Sequence, residues 1–197
     1  ATCGYLSEAT NVFDRLPIRN LVCWSVMIAS YADHGKLSLA YNYIKAMRKG
    51  GIEPNASIFT SLLVACNQEG DLEKGELYFN LMTKKHNIHP NVEHIHCMID
   101  LLSRAGHLMK AHKLLQSMPT TNDLSGWIAL LSACRVHGNV ALGRNCFDVV
   151  VSRDPMSGAS YTLMSNIYLD AQMWDNYHQI LKLQKDAMGL NIQEMNG

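Results

Sequence analysis

Five residues mark a beat along the chain: Trp24, Phe59, Ile95, Trp127 and Tyr161, separated by 35, 36, 32 and 34 positions. Each opens a step of three, four and seven. Trp24 is followed by Met27, Ile28 and Tyr31; Phe59 by Leu62, Leu63 and Cys66; Ile95 by Met98, Ile99 and Leu102. Trp127 is followed by Leu130, Leu131 and Cys134, and Tyr161 by Met164, Ser165 and Tyr168. That spacing lays one apolar stripe along a helix. A fixed period of this length is the mark of a repeat architecture, and it restricts the fold more than any composition value does.

Glycines keep the same time. Gly4, Gly35, Gly70, Gly106 and Gly138 are expected where a first helix stops, because glycine tolerates a left-handed C-terminal cap. Ala171 and Gln172 stand where the next glycine is due, which predicts an irregular turn there. After each glycine comes a second amphipathic stretch, with faces such as Leu37, Ala40, Tyr41 and Ile44, or Leu108, Ala111, Leu114 and Leu115. Pro54 and Pro90 close two units, where proline cannot prolong a helix. The expectation is an all-α, right-handed solenoid of stacked antiparallel helical hairpins. One hairpin of this length cannot bury its own stripe, whereas stacked neighbours form a continuous core.

The bulk numbers exclude several classes. Hydrophobic residues make up 48% of the 197 and charged residues 17%, which suits an ordered chain. No apolar run approaches the roughly 20 residues of a spanning helix. Seventeen basic and 17 acidic residues cancel, against a strong non-specific polyanion binder but not against a reader of nucleic-acid bases. The six cysteines, Cys3, Cys23, Cys66, Cys97, Cys134 and Cys146, contain no Cys-x-x-Cys pair and read as reduced thiols acting as small hydrophobes. The chain starts ATCG, without methionine and in mid-hairpin, so it reads as a piece of a longer protein, in which a targeting peptide, if there is one, lies outside this sequence.

Helical hairpins of about 34 residues also describe tetratricopeptide repeats. The 35-residue unit ending MRKGGIEPN instead resembles a pentatricopeptide repeat, and the alternating unit lengths resemble its PLS subclass of plant organelles. Residues 1–20, with GYLSEATNVFDRLPIRN, resemble the end of an S-type motif. Residues 21–55 resemble a P-type motif, 56–91 (LLVACNQEGDLEKG) an L-type motif, and 92–123 (CMIDLLSRAGHLMKAHKLLQSMP) the closing S-type motif. Residues 124–157 (WIALLSACRVHGNVALG) and 158–192 (YTLMSNIYLDAQMWD) resemble two E-type motifs, leaving a tail at 193–197.

The resemblance implies single-stranded RNA as partner, sites of cytidine-to-uridine editing as targets, and a mitochondrion or chloroplast as location. It places the chemistry in a deaminase domain named DYW, in cis or supplied by an editing-complex protein. It also implies that the fifth and last residues of each motif select a base. The pairs are then Ser25 with Asn55, Thr60 with Asn91, and His96 with Asp123, while Asn20 closes the preceding unit. A residue one position after the stripe opener lies about 100° around the helix and can face a groove while the opener faces the core. Hydroxyls and amides can each donate and accept to a base edge, and a hydroxyl with asparagine resembles the adenine-preferring combination. His96 with Asp123 departs from the usual pairs and is assigned no base. Val22 suits packing against a base; Ser57 and Glu93 suit it less. Ile128 and Thr162 occupy the fifth position of the E-type units, and Ile128 has no side-chain hydrogen bond to offer. The bland alternative is that Ser, Thr and Asn near helix starts are caps.

His86, His89, His94, His96 and Cys97 crowd one window, yet they cross a unit boundary and lack a recognised ligand pattern, so no metal or other cofactor is expected. His-x-Glu and Pro-Cys-x-x-Cys, which a zinc deaminase needs, are absent from the chain, as are phosphate loops and nucleophile elbows, so no catalytic residue is assigned. Trp174, Tyr177, Tyr168, Met164 and Met173 in the last unit read mostly as core. The tail GLNIQEMNG departs from the family's usual continuation. The rival reading is a protein-interaction scaffold with little RNA contact, and a third is a structural spacer.

Overall fold

The computed structural model describes residues 3–117 and 124–189, and they are helical apart from short connections. The helices are α1 (Cys3–Arg15), α2 (Leu21–Asp33), α3 (Leu37–Lys49), α4 (Ala56–Glu69), α5 (Leu72–Asn80), α6 (Val92–Arg104), α7 (Leu108–Gln116), α8 (Ser125–Val136), α9 (Val140–Arg153), α10 (Gly158–Asp170) and α11 (Trp174–Ala187). They form two compact units, residues 1–101 and 102–197, with the border inside α6.

In the first unit α2 pairs with α3 and α4 with α5, while α2 and α4 pack on each other and α1 packs on α2. Every stripe residue of α2 and α4 is buried, as predicted from the three-four-seven step. The core begins in an aromatic cluster. The Phe13 and Trp24 rings meet edge to face at 4.8 Å, and Tyr31 and Tyr43 lie 5.0 Å apart. The Thr10 and Tyr31 hydroxyls bond at 2.7 Å, which satisfies a phenol that burial would otherwise penalise. Burial pushes the Tyr43 hydroxyl up to about 12.

In the second unit α8 pairs with α9 and α10 with α11, and α8 packs on both α7 and α10. Phe147 meets Tyr161 edge to face at 5.2 Å. The stripes of α8 and α10 are buried, including the polar Ser165, whose hydroxyl donates to the Thr162 carbonyl. Burying one large apolar side chain contributes about 1.5–3 kcal/mol, and stacking extends that gain from hairpin to hairpin.

The turn after each first helix is the same throughout. The amide five residues beyond the last stripe residue's partner turn closes back on that stripe carbonyl: Lys36 on Tyr31, Asp71 on Cys66, His107 on Leu102, Asn139 on Cys134 and Met173 on Tyr168, all at 2.8–3.0 Å. The residue just before each donor is left-handed. Gly35, Gly70, Gly106 and Gly138 take φ between +65° and +77°. This is the Schellman arrangement. The predicted irregular turn at Ala171 and Gln172 is therefore corrected. Gln172 itself adopts φ +58° and completes the same bonds, because the closing hydrogen bonds outweigh the side chain's steric cost. Gly4 is a second correction, since it is the second residue of α1, at a helix start rather than the helix stop expected.

Two features were invisible in the pattern. The 36-residue unit absorbs its extra residue as a π-helical turn over Leu81–Lys85, which continues α5. His86 then bonds to the Leu81 carbonyl, and Ile88 reaches the Met82 carbonyl, whereas the shorter unit closes from Ile52 to Met47. Second, a small residue recurs where a second helix crosses its neighbours. A methyl on Gly75 would meet Leu101 Cδ1 at 2.5 Å, and one on Gly143 would meet Ile167 Cδ1 at 2.9 Å. Ala40 and Ala111, both fully buried, hold the corresponding places.

The last hairpin departs from expectation. Met164 and Tyr168 are core, but Trp174 is 55% exposed, Met173 is exposed and Tyr177 is half-buried. These three sit at the start of α11, and among the described residues no further hairpin follows to cover them.

Candidate nucleic-acid interface

The asparagines that close the units are first of all helix caps. Asn20 Oδ1 accepts from the Cys23 amide at 3.0 Å, Asn55 Oδ1 from the Ile58 amide at 3.2 Å, and Asn91 Oδ1 from the His94 amide at 3.0 Å. Each cap satisfies an amide that the first helical turn leaves without a carbonyl. Because a backbone N–H can only donate, the bonded atom in each case is the amide oxygen. What remains is Nδ2, a double donor that bonds to nothing else among the described residues. All three asparagines are exposed. Capping and display are thus compatible, and the bland reading is true of half of each side chain.

The fifth-position hydroxyls are also engaged within their helices. Ser25 Oγ donates to the Leu21 carbonyl at 2.8 Å, and Thr162 Oγ1 to the Gly158 carbonyl at 3.0 Å. A hydroxyl so bonded presents lone pairs outward and acts as an acceptor. Ser25 and Asn55 lie at the N-terminal ends of α2 and α4, which pack together. Val22, one turn before Val26 on α2, is 66% exposed, and Val26 is exposed beside it. Ser57 and Glu93, at the same place in the next two units, are exposed and polar. Ile128 is half-buried, and so is His96, whereas Thr162 is exposed. Asp123 lies outside the described residues.

Thr60 differs from Ser25. Its Oγ1 is 3.3 Å from the Ala56 carbonyl and 3.1 Å from His94 Nε2, and His94 Nε2 is itself 3.0 Å from the same carbonyl. The Asn91 amide donates to His94 Nδ1 at 3.1 Å. His94 is completely buried. By residue type it is a candidate metal ligand. The structure gives both of its ring nitrogens to the Thr60–Asn91 pair and to Ala56. The signal that could have found it is its separation from Thr60, 34 residues, close to the 36 of this repeat.

The rest of the histidine window is dispersed. His86 Nδ1 lies 3.5 Å from Glu53 Oε2 and its ring 5.4 Å from Phe59; burial holds its pKa below the usual imidazole value, with the Arg48 charge adding to the shift. Among the described residues no three His, Cys, Asp or Glu side chains gather to hold a metal. Cys66, Cys97, Cys134 and Cys146 are buried thiols and Cys23 is half-buried. Burial pushes Cys66 up to about 12. Polar ties join successive first helices: Asn67 Nδ2 donates to Asp100 at 3.3 Å in the first unit, and Arg135 pairs with Asp170 at 2.7 Å in the second.

Known proteins share this sequence and fold. A family model described as pentatricopeptide repeat-containing protein matches residues 20–140. The chain is 39% identical over 181 residues to the chloroplastic pentatricopeptide repeat-containing protein CRR2 of Arabidopsis thaliana, covering 92% of this chain and 28% of that protein. It is 39% identical over 182 residues to the chloroplastic DOT4 of the same plant, covering 92% and 21%. It is also 39% identical over 175 residues to a mitochondrial relative from that plant, covering 89% and 31%. The chain therefore spans about a quarter of the length of these relatives. Among solved structures, maize pentatricopeptide repeat protein PPR10 superposes with a TM-score of 0.67 over 87% of this chain and 26% of its own, at 15% identity. PPR10 in complex with an 18-nt psaJ RNA element superposes with a TM-score of 0.60 over 91% of this chain and 27% of its own, at 16% identity. The fold is the stacked-hairpin fold of these structures, and the chain belongs to the pentatricopeptide repeat family.

Proposed function

We propose that this chain recognises single-stranded RNA, base by base, as the site-selecting part of an organellar cytidine-to-uridine editing factor. The observation that carries the proposal is the exposure of capping asparagines whose Nδ2 the cap leaves unused, with hydroxyls in the first turns of first helices that pack side by side. Arrays of this kind read unstacked bases with two or three side chains per repeat. Ser25 as acceptor and Asn55 as donor match the edge of adenine, which carries an amine donor beside a ring-nitrogen acceptor. Val22 supplies an apolar surface for the base face.

The finer organisation belongs to the same proposal. Residues 1–20 end an S-type motif, 21–55 are P-type, 56–91 L-type, 92–123 S-type, and 124–157 and 158–192 are E-type motifs that place or recruit a deaminase. The chloroplastic and mitochondrial relatives support an organellar location. Readout fades along the chain, because Ile128 offers no side-chain hydrogen bond.

The test is selection from a randomised pool of short single-stranded RNAs, with Ser25→Ala/Asn55→Ala as control. A preferred base that the control loses, with about 1–3 kcal/mol of discrimination, supports base reading. Equal loss on every RNA refutes it at this pair. A second reading, a protein-interaction scaffold, is favoured by the exposed Trp174 and Met173 on the last hairpin. It predicts no enrichment from the pool and loss of partner binding in Trp174→Ala.

A further inference from the structure

We infer that Cys134 and Cys146 form a modification site, a thiol pair that hydrogen peroxide converts into a reversible disulfide pinning α8 to α9. Both side chains lie wholly inside the second unit, so the pair is independent of RNA reading.

The packing of the hairpin brings the two thiols together. Cys134 ends the α8 stripe, and its carbonyl accepts the Asn139 amide that closes the turn, at 2.8 Å. The chain then doubles back. Gly143 and Cys146 stand three residues apart on α9, on one face of that helix, and both are buried. At Gly143 the approach is so close that an added methyl would lie 3.4 Å from Cys134 Cβ. One turn further along, the Cys146 thiol donates a hydrogen bond to the Cys134 sulfur. Both cysteines are fully buried. A disulfide joins side chains whose Cβ atoms are about 3.5–4.5 Å apart, so sulfurs already in hydrogen-bond contact have little further to travel.

The same bond decides which sulfur reacts first. It holds Cys134 below the usual thiol range, whereas burial pushes Cys66 up to about 12 and raises Cys97 as well. The thiolate is the form that attacks peroxide. Cys134, having shed its proton, gives an electron pair to one peroxide oxygen. The O–O bond breaks, hydroxide leaves and takes up that proton, and a sulfenic acid remains on Cys134. The Cys146 sulfur then attacks the Cys134 sulfur, the S–O bond breaks, and the departing hydroxide takes the Cys146 proton. Two thiols and one peroxide become one disulfide and two waters. A dithiol reverses the change by thiol–disulfide exchange. Burial governs both rate and product. Peroxide enters only when the hairpin opens locally, and on closing the sulfenic acid meets Cys146 before any thiol from solution.

The experiment treats the folded chain with hydrogen peroxide, blocks remaining thiols with iodoacetamide and digests with trypsin. Cleavage after Arg135 and Arg144 puts the two cysteines on separate peptides, 114–135 and 145–153. The expected result is these two peptides joined, lighter by the two hydrogens lost, and separated again by dithiothreitol. The oxidised chain should melt about 5 °C or more above the reduced one, because the bridge restricts the unfolded hairpin. Cys146→Ala should give no joined peptides and no rise in Tm, and its Cys134 sulfenic acid should be trapped by dimedone. Both peptides recovered alkylated and unjoined would overturn the inference, as would Cys134 joined to Cys66 or Cys97. Joining in urea but not in the folded chain also overturns it, since chance encounter would then replace the fold. A Tm that does not rise refutes the pinning. Should Cys146→Ala fail to fold by circular dichroism, the wild-type peptides and Tm decide.

Discussion

Gln172→Gly should stabilise the chain, although it deletes a whole side chain. Gln172 holds φ +58° at the place that glycine fills in the other turns. A non-glycine residue in that region costs about 1–2 kcal/mol. Glycine gives back part of the gain through its greater freedom when unfolded, about 0.5–1 kcal/mol. The net is a stabilisation of about 0.5–1 kcal/mol, or roughly 1–4 °C in Tm for a chain of this size. Gly138→Ala is the reverse experiment at φ +65°, and a methyl there meets nothing within 4 Å, so its cost of about 1 kcal/mol is conformational alone. The assay is urea denaturation followed by helical circular dichroism, with amide exchange of α10 and α11 as the local readout, since stability in repeat proteins is carried by nearest neighbours. Opposite signs for the two variants are expected. A destabilising Gln172→Gly, or the same sign for both, would refute the strain argument and imply that Gln172 makes an interaction worth more than its backbone costs.

Three further outcomes follow from named contacts. Gly143→Ala forces its methyl against Ile167 Cδ1 and Cys134 Cβ, and should cost about 1–3 kcal/mol in thermal unfolding, with Ile167→Val recovering part of the loss as a double mutant. His86 has a depressed folded pKa, so the unfolded ring binds its proton first. Stability should be unaffected above about pH 6.5 and fall below it, until the folded ring also titrates, and His86→Gln should flatten that part of a Tm-versus-pH series. Asn55→Ala should cost about 1 kcal/mol of helix stability as well as base discrimination, whereas Asn55→Asp should keep the cap and change only the preferred base, read by melting and pool selection together.

Much of the fold was legible because one physical rule governs each repeat. A stripe at three, four and seven has to be buried, and every residue of the five stripes is. Glycine at a fixed offset has to be left-handed, and Gly35, Gly70, Gly106 and Gly138 are. The failures occur where tertiary context decides. Gln172 is strained because Tyr168 and Leu169 offer the same carbonyls as the other turns. The π turn at Leu81–Lys85 records an insertion that a residue count shows but cannot localise. Trp174 and Met173 have core character and yet are exposed, because burial of a terminal hairpin depends on what stacks next.

His94 is the instructive miss, because residue type pointed away from its role. A histidine among histidines suggests a ligand, but a repeat sets each side chain against the one about 34 positions earlier, and that neighbour is Thr60. A hydroxyl and an asparagine are fixed in polarity only by their inward bonds. The cap removes the amide oxygen, leaving Nδ2 as the outward group in each unit. The Ser25 and Thr60 hydroxyls both donate to the carbonyl four residues earlier, and His94 Nε2 adds a bond to that site in one unit where Ile58, at the same place in the unit before, adds none. A buried side chain of one repeat is thereby tied to the first helix of the repeat before it. Replacing residues 56–91 as a self-contained cassette should therefore lower the Tm unless residues 92–94 travel with it, because buried His94 would lose Thr60 and Ala56 as partners.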